Sequence, residues 1–318
     1  MKFRTEINID RADQTIQHID PIITLGSCFA ENISKALKEH YFHVLENPFG
    51  VLYNPLSIER ALRFIIEDKT FTQNDLIFHQ QEWHSFWHHS SFSHHDAQVC
   101  LHNINTAIQQ AHHFLKKARW LIVTFGTAFV YFLKKQKTAV ANCHKLPETE
   151  FERRLISLAE ITEPWLRLLD LLRQFNPQLK IIFSVSPIRH LRDGLPENQK
   201  SKATLILATH QLVDSSADYF YFPAYEIVLD DLRDYRFYEA DLTHPNQQAV
   251  AYIWGKFKAM FFDRTTQQIL KEMADFYKRT THRFRNSASP SAKNFMTETE
   301  ALRKMLLQKY PYLKQRDF

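Results

Sequence analysis

Ile22-Ile23-Thr24-Leu25-Gly26-Ser27-Cys28-Phe29-Ala30-Glu31-Asn32 is the stretch from which the fold can be read. Residues suited to a buried strand run into a glycine, a hydroxyl and a thiol follow, and then Ile33, Ala36, Leu37 and His40 fall on one face of a helix. Strand, tight turn and helix start thus take up about ten residues, as at the opening of a parallel α/β unit. Ser27 and Cys28 are placed at the carboxyl end of a strand and the positive end of a helix dipole, where ligands bind in open sheets. Either side chain is a candidate nucleophile.

The same signal recurs along the chain. Residues 42–45, 120–125, 180–185 and 219–222 read as further strands, and helical patterns cover Ser57–Asp68, Ser93–Lys117, Phe151–Gln174, Ser201–Ala217 and Gln247–Phe262. Pro164 either kinks the Phe151–Gln174 helix or starts a second one. Alternating strands and helices predict a doubly wound parallel sheet of about five strands with helices on both faces, flavodoxin-like in order. Gly26 and Gly126 close two of the strands, so their turns belong on one sheet edge.

Two segments interrupt the alternation. Phe78–His95 is rich in histidine and tryptophan, with Trp83-His84-Ser85-Phe86-Trp87-His88-His89 at its centre. His84 and His88 would share a face if this segment were helical, and imidazole is a common zinc ligand. No HExxH pattern accompanies them, so the segment reads as a packed or substrate-facing insertion and no metal is expected. Phe129–Leu133 and Thr138–Asn142 flank Lys134-Lys135-Gln136-Lys137 and read as a hairpin with a solvated basic turn, leading to Asn142-Cys143-His144-Lys145.

One α/β domain is expected over residues 1–263 and a helical extension over 264–318. In the extension, a helix at Thr265–Lys278 precedes a polar linker, Arg283–Thr299, and a last helix at Ala301–Lys309.

A length of 318 residues with 44% hydrophobic and 24% charged content is enough for a large core. The net charge of +5 comes from Lys and Arg spread along the chain with no basic-aromatic module, so no nucleic-acid partner is expected. The three cysteines, Cys28, Cys100 and Cys143, are odd in number and far apart, which points to free thiols in a reducing compartment. Met1–Gln14 has no apolar core of a signal peptide, and no later apolar run reaches the roughly 18 residues of a membrane helix. A cytoplasmic protein that does not enter membranes is expected.

Three further features carry chemistry. Gly50 lies between two Asn-Pro pairs that hold the backbone extended, so its amide faces a ligand or simply makes a rigid turn. Arg189 and His190 follow a strand and could bind an anionic or carbonyl group, or serve structure alone. Asp241-Leu242-Thr243-His244-Pro245-Asn246 precedes the Gln247–Phe262 helix: an imidazole can take a nucleophile's proton while a carboxylate fixes its tautomer. Standing alone, that pair would read as a turn former and a surface histidine.

Gly26-Ser27-Cys28-Phe29-Ala30-Glu31-Asn32 resembles the signature of the GSCFA family, which is similar to the SGNH (GDSL-like) hydrolase superfamily. That superfamily carries its nucleophile in a Gly-Asp-Ser block on this same turn. The resemblance implies Cys28 as nucleophile with Ser27 beside it; shifting the alignment by one residue makes Ser27 the nucleophile instead. It matches Gly50 to a lone glycine that offers its amide to the oxyanion, and Asp241 and His244 to the Asp-x-x-His block. The Gly-x-Asn block falls on Gly126-Thr127-Ala128, where alanine replaces the oxyanion asparagine, so Thr127 or Asn142 is the substitute donor, beside Gly50 and the backbone amides of the nucleophile turn. The implied activity is acyl-group hydrolysis or transfer on a small-molecule or glycan ester, a thioester or acyl-CoA, without a cofactor. A second reading is a catalytically silent protein that holds a glycan or a partner through the His/Trp-rich segment.

Overall fold

In the computed structural model, which describes residues 4–316 and 318, the opening stretch folds as strand β1 (Pro21–Gly26) and helix α1 (Cys28–Glu39). The first three residues of the Met1–Gln14 segment lie outside the described residues. The chain continues through β2 (His43–Glu46), α2 (Pro55–Ile66), a hairpin of β3 (Ile77–His79) and β4 (Glu82–His84), α3 (Ala97–Leu115) and β5 (Trp120–Phe125). Next come β6 (Phe129–Leu133), β7 (Thr138–Val140), β8 (Phe151–Leu155), α4 (Leu158–Phe175), β9 (Lys180–Val185), α5 (Leu195–Val213) and β10 (Tyr219–Phe222). A one-turn helix α6 (Ala224–Glu226), then α7 (Gln247–Phe261), α8 (Arg264–Thr280) and α9 (Pro290–Lys309), complete the fold.

β10, β9, β5, β1 and β2 form, in that order, one all-parallel sheet. This is the expected flavodoxin-like arrangement. From β1 the chain steps one way to β2 and the other way to β5, so the carboxyl ends of β1 and β5 border the crevice where open sheets bind ligands. Alternation along the strands divides the core between two faces. Ile23, Leu25, Leu121, Val123 and Phe183 pack under α2, α3, α4 and α5, while Ile22, Trp120, Ile122 and Ile182 pack under α1 and α7. Each fully buried side chain of this size contributes about 1.5–3 kcal/mol, and Leu270 of α8 joins the second face.

Gly26 ends β1 with φ +151°, and a Cβ there would lie 2.4 Å from the Thr124 carbonyl oxygen of β5. Only glycine lets the two strands approach this closely.

Residues 151–155 form a strand, not the start of a helix. Phe151, Leu155 and Leu158 fit helical spacing, but β8 pairs antiparallel with β6, Phe129 opposite Leu155 and Leu133 opposite Phe151. The helix begins only where Ser157 and Glu160 make a reciprocal cap. Pro164 starts no second helix; it sits inside the single helix α4. β6, β7 and β8 form a separate antiparallel sheet, so the expected hairpin gains a third strand.

The histidine-rich segment is likewise extended. His84 lies on β4, paired to β3, and its ring meets Ser93 Oγ at 2.6 Å and the His79 carbonyl at 2.9 Å. The shared helical face supposed for His84 and His88 therefore does not form. α3 starts at Ala97 rather than at Ser93, because the Asp96 side chain caps it. The polar linker is shorter than expected: α9 begins at Pro290, capped by Ser289, and its sparse buried residues, Ala292 and Leu306, explain why its first turns carry no apolar signal. No helix of the described residues is long and apolar enough to cross a membrane.

Candidate active site

The turn between β1 and α1 is held from two sides. The Gly26 amide donates to Asn47 Oδ1 at 3.0 Å, and the Ser27 amide donates to the Thr124 carbonyl at 3.2 Å. Ser27 occupies the N-cap position of α1 in extended conformation, yet its hydroxyl caps nothing. That Oγ is buried and has no hydrogen-bond partner among the described residues. Cys28 is the first residue of α1 and is half-buried, with its Sγ 3.5 Å from the Tyr53 hydroxyl. Burial, and then the Cys28 thiol beside it, raise the Tyr53 pKa, so the phenol stays protonated and can donate to sulfur. The other two thiols lie elsewhere: Cys100 is fully buried, and burial pushes Cys143 up to about 11.

His244 stands on the loop between β10 and α7. The Asp241 carboxylate accepts the Thr243 and His244 amides at 2.9 and 3.0 Å, and its other oxygen meets His244 Nδ1 at 2.5 Å. These bonds hold the Asp241 carboxyl well below the usual carboxylate range. With Nδ1–H donating to Asp241, Nε2 of the neutral ring is left as an acceptor. The loop is braced further by the Glu239 amide on the His244 carbonyl at 2.8 Å and by the Arg189 amide on the Thr243 carbonyl.

A cavity of about 420 Å³ at the carboxyl edge of the sheet brings these ends of the chain together. Ser27, Cys28 and His244 line it together with Tyr53 and Asn54. Phe129, Tyr131, Val140 and Arg153 of the antiparallel sheet, with Ala141 just after β7, also line it, as do Ser186, Arg189, His190 and Arg192, which follow β9.

Several of the groups supposed to serve an oxyanion make bonds within the fold. The Gly50 amide donates to the Asn47 carbonyl at 2.7 Å, inside its own turn, and Gly50 is not on the cavity wall. Thr127 reaches the cavity, but its amide donates to the Tyr53 carbonyl and its hydroxyl accepts the Phe129 amide and meets Ser201. Asn142 uses Oδ1 on the His144 amide and lies outside the lining.

Two other N–H groups near the cavity are free of such bonds among the described residues. The Cys28 amide, at the first position of α1, faces no acceptor among the described residues. Asn54 caps α2 by accepting the Ser57 amide on Oδ1 at 2.9 Å, which leaves its Nδ2 hydrogens for the cavity. The Asn54-Pro55 pair, a cap residue followed by proline at the first helical position, is the sequence signal for that role.

His190 has a structural duty. Its Nε2 donates to the Gly126 carbonyl at 3.0 Å, and burial lowers its pKa to about 4, so it stays neutral near pH 7. Below it, fully buried Lys202 donates to the Gly126 and Ser186 carbonyls at 2.7 Å each, and burial lowers its pKa to about 7.

Residues 21–257 match the model of the GSCFA family. The chain belongs to this family. No curated protein sequence matches it. Among solved structures, this GSCFA chain is similar to a carbohydrate esterase family 3 protein from Talaromyces cellulolyticus, at 11% identity and a TM-score of 0.36, over 80% of this chain and 99% of that one. It is also similar to a mutant acetyl esterase with acetate ion, at 11% identity and a TM-score of 0.37, over 80% and 99% of the two chains. A family 3 carbohydrate esterase of Clostridium thermocellum stands at 10% identity and 0.34, again over 80% and 99%. In the GSCFA chain, the signature residues Gly26, Ser27 and Cys28 form the β1–α1 turn and thus one corner of the cavity.

Proposed function

We propose that this protein is an acyl-ester hydrolase that works through a thiol, with Cys28 as nucleophile, His244 as base and Asp241 as the group that orients it. The observation that carries this reading is the division of labour between the two neighbours on the first turn. Both residues line the cavity with His244, but Cys28 is partly exposed there, whereas the Ser27 hydroxyl is buried.

In the proposed reaction His244 Nε2 takes the Cys28 proton and Sγ attacks the ester carbonyl carbon, moving the carbonyl electron pair onto oxygen. The Cys28 amide and Asn54 Nδ2 hold that oxyanion. On collapse, the carbon–oxygen bond breaks and the imidazolium returns its proton to the departing alcohol, leaving an acyl-thioester on Cys28. Water then gives a proton to His244 and adds to the thioester carbonyl, the carbon–sulfur bond breaks, and the thiol and a free acid result. A second alcohol in place of water would give acyl transfer by the same steps. Asp241 keeps the proton on Nδ1 throughout and stabilises the imidazolium.

The test is hydrolysis of p-nitrophenyl acetate and butyrate by the parent, Cys28→Ala, Ser27→Ala and His244→Ala proteins, with mass spectrometry to locate the acyl group. The reading expects Cys28→Ala and His244→Ala to be inactive, Ser27→Ala to keep most activity, and the acyl mass to lie on Cys28. Equal rates in all four proteins would remove it, and an adduct on Ser27 would reassign the nucleophile.

A further inference from the structure

The cavity wall carries three guanidinium groups, Arg153, Arg189 and Arg192, and no carboxylate. Two of them are already matched. Arg153 is gripped by both oxygens of Asp193, with Nη2 to Oδ2 at 2.7 Å, and Arg192 reaches Glu148 at 2.5 Å. Arg189 has no carboxylate within 4.0 Å among the described residues. It rests against rings instead, 4.3 Å from the centre of Tyr238 and 5.3 Å from that of Tyr235. A guanidinium stacked on a ring keeps in-plane N–H donors open, and an uncompensated cation in an aromatic, low-dielectric wall attracts an anion.

Its position says which half of an ester that anion belongs to. Arg189 lines the main cavity and also an adjoining hollow of about 130 Å³ with Tyr225, Tyr235 and Tyr238. Its amide is bonded to the Thr243 carbonyl, next to His244. The base that returns a proton to the departing oxygen must stand on the leaving side, so a group reaching from His244 toward Arg189 is part of the alcohol.

We infer that the enzyme prefers esters whose alcohol half carries a carboxylate or phosphate, and that Arg189 is the residue that selects it. This rests on the hydrolase reading given above. The experiment compares 3-acetoxybenzoate and 4-acetoxyphenyl phosphate, charged on the alcohol side, with neutral phenyl acetate and with p-nitrophenyl hemisuccinate, charged on the acyl side. In the parent, kcat/KM for the alcohol-side anions exceeds that for phenyl acetate by about ten- to a hundredfold, as a charge-assisted hydrogen bond provides, and the excess shrinks as salt is raised. Arg189→Gln abolishes the excess, mainly through KM, and Arg189→Lys keeps part of it. A parent that treats phenyl acetate as well as the alcohol-side anions overturns the inference while leaving the hydrolase standing. So does a preference for the hemisuccinate alone, or one untouched in Arg189→Gln. A binding arm separates the two claims: titration of 3-hydroxybenzoate against phenol, followed by NMR in Cys28→Ala with and without Arg189→Gln. Tighter binding of the anion that depends on Arg189, alongside a parent protein that turns over no ester, supports the anion seat and removes the hydrolase.

Discussion

The carboxyl edge of the parallel sheet and the small antiparallel sheet β6–β7–β8 meet at one cavity and supply it with different things. The edge presents Ser27, Cys28, Ser186 and, from the loop before α7, His244. These groups are short, and the amides of Ser27, Ser186 and His244 are bonded to the Thr124 carbonyl, the Phe125 carbonyl and Asp241 Oδ1 respectively. The antiparallel sheet presents Phe129, Tyr131, Val140 and Arg153, with Ala141 just beyond β7, which offer area and shape but no nucleophile or base. Reactive groups sit where strand ends converge, and the opposing surface is free to vary in what it admits.

The sharpest way to break this contrast is to cut each side. Cys28→Ala or His244→Ala is expected to lower kcat/KM for short esters by about a thousandfold or more, measured by steady-state kinetics. Comparable losses from the wall would erase the distinction. Asp241→Asn should cost about a hundredfold or more through kcat, because the amide lets His244 adopt the wrong tautomer.

On the wall, Phe129→Ala should act chiefly on KM, by about tenfold, through the loss of apolar contact with the substrate. A substrate panel of increasing acyl length would sharpen the point by showing that the change depends on size.

Two smaller effects concern stability. Burial lowers the pKa of His18, His144 and His190 to about 4 and of His88 to about 3, from an ordinary 6.5. Between those limits the unfolded chain binds more protons than the folded one, so stability falls as pH drops from 6.5 toward 4. Urea midpoints across that range should decline, and His88→Phe should flatten the slope. Lys202 obeys the same rule in the basic range: its buried ammonium is penalised, so stability should rise with pH between about 7 and the ordinary 10.5, a trend lost in Lys202→Met.

Much of the fold was legible because parallel strands buried on both faces are written as short continuous apolar runs, as in 120–125 and 180–185. β8 was not, since Phe151 and Leu155 suit either period and only the long-range pairing with β6 decides. At the site, the side chains of Ser27, Cys28 and His244 could be named because they sit in motifs. The hydrogen-bond state of the backbone could not. That the Tyr53 carbonyl captures the Gly126 and Thr127 amides, and that the Gly50 amide is used within its own turn, depends on contacts absent from local sequence. Of the expected donors those contacts leave the amide of the nucleophile turn, at Cys28, and the proposed partner for it becomes Asn54.

Gly26 closes β1 with no room for a β-carbon against Thr124. The first letter of the family signature therefore records the spacing of two strands, while the third records a thiol. On the thiol mechanism proposed above, a descendant that abandoned catalysis would still have to inherit the glycine but would be released to replace the cysteine. By that proposal, it is residue 28 that would tell a working copy from a silent one.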